Sequence, residues 1–463
     1  MRWESQNHIA DRSDWAPRLS LAWAPGPSNN RRAPKTILRA GYGWFYQRFT
    51  VPNSFASQSG TPYLATVIHQ NGTNQFTYTV TNPSGYQETS PGIALKPPTP
   101  PATGSVQTLY SIAPNFRAAA DMQAALGVDR EIAKHITANV TYLYSRGVHQ
   151  YLTNNLGAPA FPTADENTYP DAPLPTATSN EMQFQSGGIY RESQIVASAM
   201  LHGGRFSLSG FYTYSQAKGD TNGATYVPSV AQDPEFDYGR SSFDVHHRVM
   251  IVGNLLAPYG LSLAPMFVLN SGAPYNITAG PDLTGNNQFN ARPTFGDEAH
   301  CLAGDSRYVK TPWGCLNENP VGTGEKVVPY GLGTGPANVA LNLRLSKSIG
   351  IGSREREGSD SPQGAPPPPP VGGPGGLGPG GLSSGSAGPA PPSDARTVRR
   401  YSLSFAVVAH NLFNYQNLGT PNGVLNSPSA LRFKSQSLAG GPFSPPEGGG
   451  GNRSIFLESR FNF

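Results

Sequence analysis

SIFLESRFNF, residues 454–463, is the stretch whose reading decides the fold. Ile455, Leu457, Phe461 and Phe463 share one parity, while Glu458, Arg460 and Asn462 share the other. Side chains alternate between the two faces of a β-strand, so this is a strand with one apolar and one wetted face. Whether it belongs to a larger wall depends on whether the same parity recurs upstream.

It does. Residues 17–24 set Leu19, Leu21 and Trp23 against Arg18, Ser20 and Ala22, and residues 36–47 set Leu38, Tyr42, Trp44 and Tyr46 against Arg39, Gly41 and Gly43. The pattern returns at 117–130, 135–145, 181–201, 206–215, 243–256, 261–277, 338–348 and 401–413. With a partial strand at 2–9 and the closing strand, the reading reaches twelve. Gly187 and Gly188 blur the parity of 181–201 and predict a bend or bulge.

Connection length sorts to two sides. GPSNNRRAP (26–34), DREIAK (129–134), HGGR (202–205) and APYG (257–260) are short. The stretches 48–115, 152–180, 216–241, 279–335 and 414–453 are long and polar, read as exposed loops, the first with a short hairpin near 75–80. Short turns on one side and long loops on the other is the topology of an outer-membrane barrel, and a soluble sandwich has no reason to segregate them. Trp23, Tyr42, Trp44, Tyr46, Tyr142, Tyr144, Tyr212, Tyr214, Phe461 and Phe463 are read as its aromatic girdles. Ile136 to Tyr144 spans roughly 27 Å along the strand, or about 20 Å of height when tilted, close to the apolar band between girdles.

Composition agrees. In 463 residues, charged residues are 13% and hydrophobic ones 37%, against 53 Gly and 45 Pro, which suits many strands joined by loops. Net charge is +4 with no Lys/Arg run, so nucleic acid is not an expected partner. No apolar run is long enough for a transmembrane helix, which says nothing against a barrel. The amino-terminal MRWESQNHIADRSD has no signal-peptide pattern, and the expectation is a fragment or an internally placed start. Cys301 and Cys315 suit a local disulfide in an oxidising compartment, with two free thiols as the alternative.

Between 350 and 399, on the short-turn side, lies a Pro/Gly-rich insert, about 353–398, that cannot bury a core and reads as a disordered periplasmic linker. No catalytic, cofactor-binding or metal-binding pattern is present: the histidines show no HExxH and the cysteines no CxxC. Asp233, Glu235 and Asp237 are weighed as a calcium loop and read instead as solvated. His246 and His247, adjacent on a strand, point to opposite faces and cannot chelate one ion. Arg18, Arg39, Arg248, Arg344 and Arg460 fall on the inward parity.

The phrases APRLSLAWAPGP (16–27), TILRAGYGWFYQRF (36–49), FDYGRSSFDVHHRVMIVGNLLAP (236–258), LSLAPMFVLNSGAPYNITAG (261–280), AHNLFNYQNLGTPNG (409–423) and the final SRFNF resemble, in this order, the carboxy-terminal barrel of TonB-dependent receptors, nearest to the Oar-like group. The resemblance implies an antiparallel barrel of about 22 strands around a plug, energised through TonB and importing a bulky ligand. The amino-terminal regulatory domain, the plug and the TonB-contacting segment have no counterpart in this sequence. The expectation is thus an all-β, partial outer-membrane barrel of about twelve strands with long extracellular loops. Its expected partners are outer-membrane lipid, the barrel-assembly machinery, an unidentified extracellular ligand, and TonB with a plug only if the missing part exists. A self-contained porin or adhesin barrel and a soluble secreted β-protein are the alternatives.

Overall fold

The computed structural model describes residues 14–25, 34–47, 65–70, 75–81, 87–93, 108–162, 167–177, 180–354, 399–427, 430–431 and 453–462. The expected strand at 2–9, all but the first two residues of the 353–398 insert, and Phe463 lie outside them.

Along the chain, β1 (Arg18–Trp23) and β2 (Thr36–Tyr46) form the first hairpin. The loop expected to hold one short hairpin carries a three-stranded antiparallel sheet of β3 (Ala65–Gln70), β4 (Gln75–Thr81) and β5 (Gln87–Ile93), followed by β6 (Thr108–Ile112). Then come β7 (Ala120–Ala133), β8 (Ile136–Asn155), β9 (Asn180–His202), β10 (Phe206–Gly219), the two-residue β11 (Gly239–Arg240), β12 (His247–Ala257) and β13 (Leu261–Asn270). The next long connection holds β14 (Pro274–Tyr275), β15 (Thr294–Phe295), the short helix α1 (Glu298–Ala303), β16 (Tyr308–Thr311), β17 (Gly314–Asn317) and β18 (Gly333–Thr334). Finally β19 (Asn338–Arg354), β20 (Arg399–His410) and β21 (Ser454–Asn462) return to the wall.

The wall is one antiparallel meander in the order β1-β2-β7-β8-β9-β10-β12-β13-β19-β20-β21, with β11 added to β10 and β6 lying parallel to β9. Its registers carry the alternation of the sequence across the sheet, row by row. One transverse row aligns Trp23, Leu38, Val128, Val140, Ala197, Tyr212, Val249, Leu269 and Val339. One residue further along each strand the row reads Arg39, Gly127, Thr141, Val196, Thr213, Arg248, Asn270 and Asn338. The apolar face is bare: Leu19 is 73%, Leu126 63% and Leu457 82% exposed. A continuous apolar face left uncovered needs a medium other than water, and a bilayer supplies it.

Strand ends differ from the expectations in instructive ways. β7 runs through Asp129 to Ala133, and the turn predicted at 129–134 shrinks to Lys134 and His135, the latter with φ 70°. Asp129 stays in the ladder because Asn139 Nδ2 donates to it at 2.5 Å and Arg39 pairs with it. β8 continues ten residues past the predicted end at 145, whereas β12 starts only at His247, β13 stops at Asn270 and β20 at His410. The irregularity expected at Gly187 and Gly188 is a double one. The β8–β9 register shifts between Gly147 and Gln150 and shifts back between Gln150 and Leu152, with Gln150 opposite Gly188 and His149 at φ 55°.

The buried apolar clusters sit towards the long-loop end. Phe116, Ala119, Tyr151 and Phe184 form one; Tyr169, Ala279, Leu283, Ala291 and Val327 a second; Ile277, Leu316, Val328 and Leu425 a third. Connections read as exposed therefore carry cores of their own.

Candidate functional site: a cap folded from the long loops

Stretches 156–162, 167–177, 220–246, 271–337 and 411–427 contribute to one knitted cap. Its keystone is Arg292. The guanidinium lies 3.3 Å from the Asp237 carboxylate, with both side chains buried; it also donates to Val328 O at 2.6 Å and to Phe236 O, and packs 4.7 Å over the Phe236 ring. Asp237 accepts from Tyr226 Oη at 2.7 Å, Ser229 N at 2.7 Å and Ser229 Oγ at 2.6 Å. Tyr169, from a different loop, donates to Arg292 O at 2.7 Å, and burial raises the pKa of its phenol, as it does for Tyr226. The reading of Asp233, Glu235 and Asp237 as solvated is corrected here for Asp237. Asp233 instead accepts from Glu235 N at 3.1 Å and caps a 3-10 turn, Pro234–Asp237, that turns Asp237 inward.

A second node is Asn286. Its Nδ2 donates to Pro228 O at 3.3 Å and Ser229 O at 3.0 Å, and its carbonyl accepts from Asn155 Nδ2 at 2.9 Å, which ties the cap to the top of β8. Asp282 receives the backbone N–H groups of Asn286 at 3.1 Å and Asn287 at 2.9 Å. Buried amides placed this way satisfy the carbonyls of loops that have no ladder.

The third unit is the sheet β15-β17-β16 with α1 beside it. Cys301 of α1 and Cys315 of β17 are bonded, with Cα atoms 6.0 Å apart. Glu325 accepts from Thr294 Oγ1 at 2.7 Å, Asn317 Nδ2 at 2.7 Å, Tyr308 Oη at 2.9 Å and Thr323 Oγ1 at 3.2 Å. Burial works to raise the Glu325 pKa, but these donors outweigh it and hold the carboxyl below the usual range. Asp220, at the outer end of β10, shows the opposite balance. Burial raises it to about 6 even though Ile189 N donates to it at 2.7 Å.

Beneath the cap the inner face is polar. Glu192 accepts from Tyr190 Oη at 2.8 Å, Ser215 Oγ at 2.9 Å and Gln194 Nε2. Each of the five inward arginines can be placed: Arg18 packs 4.4 Å from the Phe45 ring, Arg39 pairs with Asp129, and Arg248 donates to Phe243 O at 3.3 Å. Arg344 reaches across β20 to Glu458, and Arg460 lies opposite Ser404. At the short-turn end this face holds an open concavity of about 430 Å³, lined in part by Arg39, Asp129, Asn139, Met200 and Phe211.

Of the aromatic residues singled out in the sequence, those among the described residues lie on the other, apolar face, and Phe463 lies outside them. Tyr42, Tyr142, Tyr144, Tyr212 and Tyr214 cluster towards the long-loop end, where Trp44 Nε1 donates to Tyr42 Oη at 2.7 Å. Tyr46 occupies the last position of β2. Trp23 lies at the opposite end of its strand, as does Phe461, which stacks on Tyr401 at 6.1 Å. His246 and His247 diverge: His246 Nε2 is 3.1 Å from Asp244, while His247 joins Tyr212 through a 3.0 Å contact to its hydroxyl. Among the described residues no group of His, Cys, Asp or Glu is placed to hold a metal ion.

A family model described as an outer membrane beta barrel domain matches residues 5–357. No curated protein sequence matches the chain. Among solved structures, the outer membrane transporter YddB from Escherichia coli aligns at 10% identity and TM-score 0.43, over 92% of this chain and 38% of that one. The ferric enterobactin receptor PfeA from Pseudomonas aeruginosa aligns at 10% identity and TM-score 0.40, over 97% and 40%. The FrpB iron transporter from Neisseria meningitidis aligns at 9% identity and TM-score 0.35, over 93% and 53%. The chain thus spans between 38% and 53% of the length of these three structures.

Proposed function

Since the chain belongs to the family of outer membrane β-barrel domains, and so to the outer membrane of a Gram-negative-type bacterium, we propose that it forms wall and cap of a TonB-dependent receptor that binds a bulky extracellular ligand and admits it to the periplasm. The observation that carries this reading is the cap. Long connections that merely joined strands would not fold around a buried Arg292–Asp237 pair and three apolar clusters. A rigid, multi-loop surface at the outer mouth is what selective capture requires.

In this reading the ligand is large and uncharged, because the loops are rich in Ser, Thr, Asn, Gln and Tyr and poor in charge. The aromatic rows on the apolar face act as interfacial girdles, the Cys301–Cys315 bond staples an outer loop, and the 353–398 insert is periplasmic. Insertion uses the barrel-assembly machinery. Energised uptake needs an interior plug and a TonB contact, which in this reading another part of a longer protein or another polypeptide supplies.

The test is electrophoretic and electrical. Full chain expressed with an outer-membrane leader should fractionate with outer membrane and show heat-modifiable migration in detergent. Planar-bilayer recordings should show no steady open-pore conductance when the plug-bearing protein is used, and large conductance when the plug is deleted. A monodisperse chain in plain buffer would overturn the membrane reading; steady conductance from the plug-bearing protein would overturn the receptor reading in favour of a passive pore.

A further inference from the structure

The apolar face does not end at the aromatic row. Two residues beyond Tyr144 on β8 stands Arg146; two beyond Ser193 on β9, towards the cap, stands Arg191; two beyond Gln216 on β10 stands Lys218. The registers place Arg146 opposite Arg191, and Arg191 opposite Lys218, so the three cations form one transverse row across adjacent strands. The row continues into Met122 and Trp44 on the neighbouring strands. All three cationic residues are exposed, and none has an ion-pair partner among the described residues.

Like charges directly opposite one another on paired strands are destabilising unless an anion lies between them. The cation row lies two residues, about 7 Å, beyond Tyr144 on β8 and four residues, about 14 Å, beyond Tyr214 on β10. If the tyrosines mark the interface, that is the depth of lipid headgroups in the outer leaflet. The transverse row of the same face from Leu38 through Val128, Val140, Ala197 and Tyr212 to Val249 carries no charge.

We propose that Arg146, Arg191 and Lys218 form a headgroup site for a phosphorylated lipid of the outer leaflet, with the phosphate bridging the cations and the acyl chains lying down the aromatic and aliphatic face below. The site rests on the girdle reading of Tyr144 and Tyr214 but not on what the cap captures. Guanidinium groups of Arg146 and Arg191 suit bidentate contact with phosphate oxygens, and Lys218 adds a point charge. The acyl chains provide what a free anion lacks, so the commitment is to a lipid.

Native mass spectrometry of the refolded full chain in neutral detergent provides the test, with bis-phosphorylated lipid A as the probe and its dephosphorylated form as the control. The wild-type chain should retain the phosphorylated probe. R146Q/R191Q/K218Q should weaken retention on the order of 100-fold, with a roughly five-fold loss per cation removed. K347Q, a cation on the same face at the opposite end, should leave retention unchanged and control for general charge. Heat-modifiable migration of the triple variant verifies that its wall is intact, and if it fails to fold, the single variants carry the test. Equal retention of the dephosphorylated probe, unchanged retention in the folded variants, or full displacement by inorganic phosphate would each overturn the assignment.

Discussion

The guanidinium of Arg292 and the carboxylate of Asp237 lie 3.3 Å apart, both buried, and join two connections separated in sequence by the whole of β12 and β13. Removing one partner leaves the other charge buried without compensation, which costs about 3–5 kcal/mol. Arg292→Met and Asp237→Asn should therefore each loosen the cap while the wall keeps its heat-modifiable migration. Hydrogen exchange across residues 226–237 and 286–294 should speed up in both variants and remain slow in β7 and β8.

Glu325 predicts an acid limit for the disulfide-bearing loop. Its folded pKa lies below the ordinary carboxylate value, so its four accepted hydrogen bonds stabilise the loop above that value and are lost as pH falls through the folded one. Exchange of residues 294–317 should accelerate below about pH 4 in the wild type. Glu325→Gln should be weaker at neutral pH and lose most of that acid step. An identical acid profile in the variant would refute the assignment.

Asp220 predicts the opposite sign. Its folded pKa is raised to about 6, so the folded state holds a proton that the unfolded state has released, and the loop after β10 loses stability as pH rises from about 4 to about 6. Asp220→Asn should flatten that dependence. Fluorescence or exchange read at the β9–β10 outer end between pH 4 and pH 7 checks it.

The bond between Cys301 and Cys315 closes a loop with a sequence separation of 14, for which chain-entropy arguments give about 3 kcal/mol of local stabilisation. Cys301→Ser should leave the wall intact and expose residues 298–317 to protease. Alkylation of both thiols in unreduced protein would exclude the bond.

The wall could be read from the sequence because one face of each strand repeats every second residue: Leu38, Val128, Val140 and Val249 announce themselves without knowledge of any neighbour. The cap could not. Arg292, Asp237, Asn286 and Glu325 are buried by partners tens of residues away, and a loop with a hydrogen-bonded interior has the same Asn, Ser and Gly composition as a solvated one. The only local signs were the Asp233-Pro234 turn start and the paired cysteines. Strand ends are not legible where the apolar parity and the ladder end at different residues: the ladder outlasts the parity in β8 and stops short of it in β13 and β20. β8 continues past Arg146 because β9 goes with it as far as Asn155, and side-chain chemistry does not advertise that persistence.

The paired register shifts in β8 and β9 also set the phase of everything beyond them. Below Gly147 and Tyr190 these strands serve lipid on one face; above Gln150 and Gly188 the same strands serve a protein interior, with Leu152 and Phe184 fully buried. The two offsets cancel between the strands but not within either one, so each strand changes which parity faces inward as it leaves the membrane. Deleting one residue, Gly187, would spare every ladder contact below it and turn each side chain above it on β9 to the wrong side. A hairpin that crosses from one solvent to another has to be rephased at the crossing, and here one extra residue per strand does that.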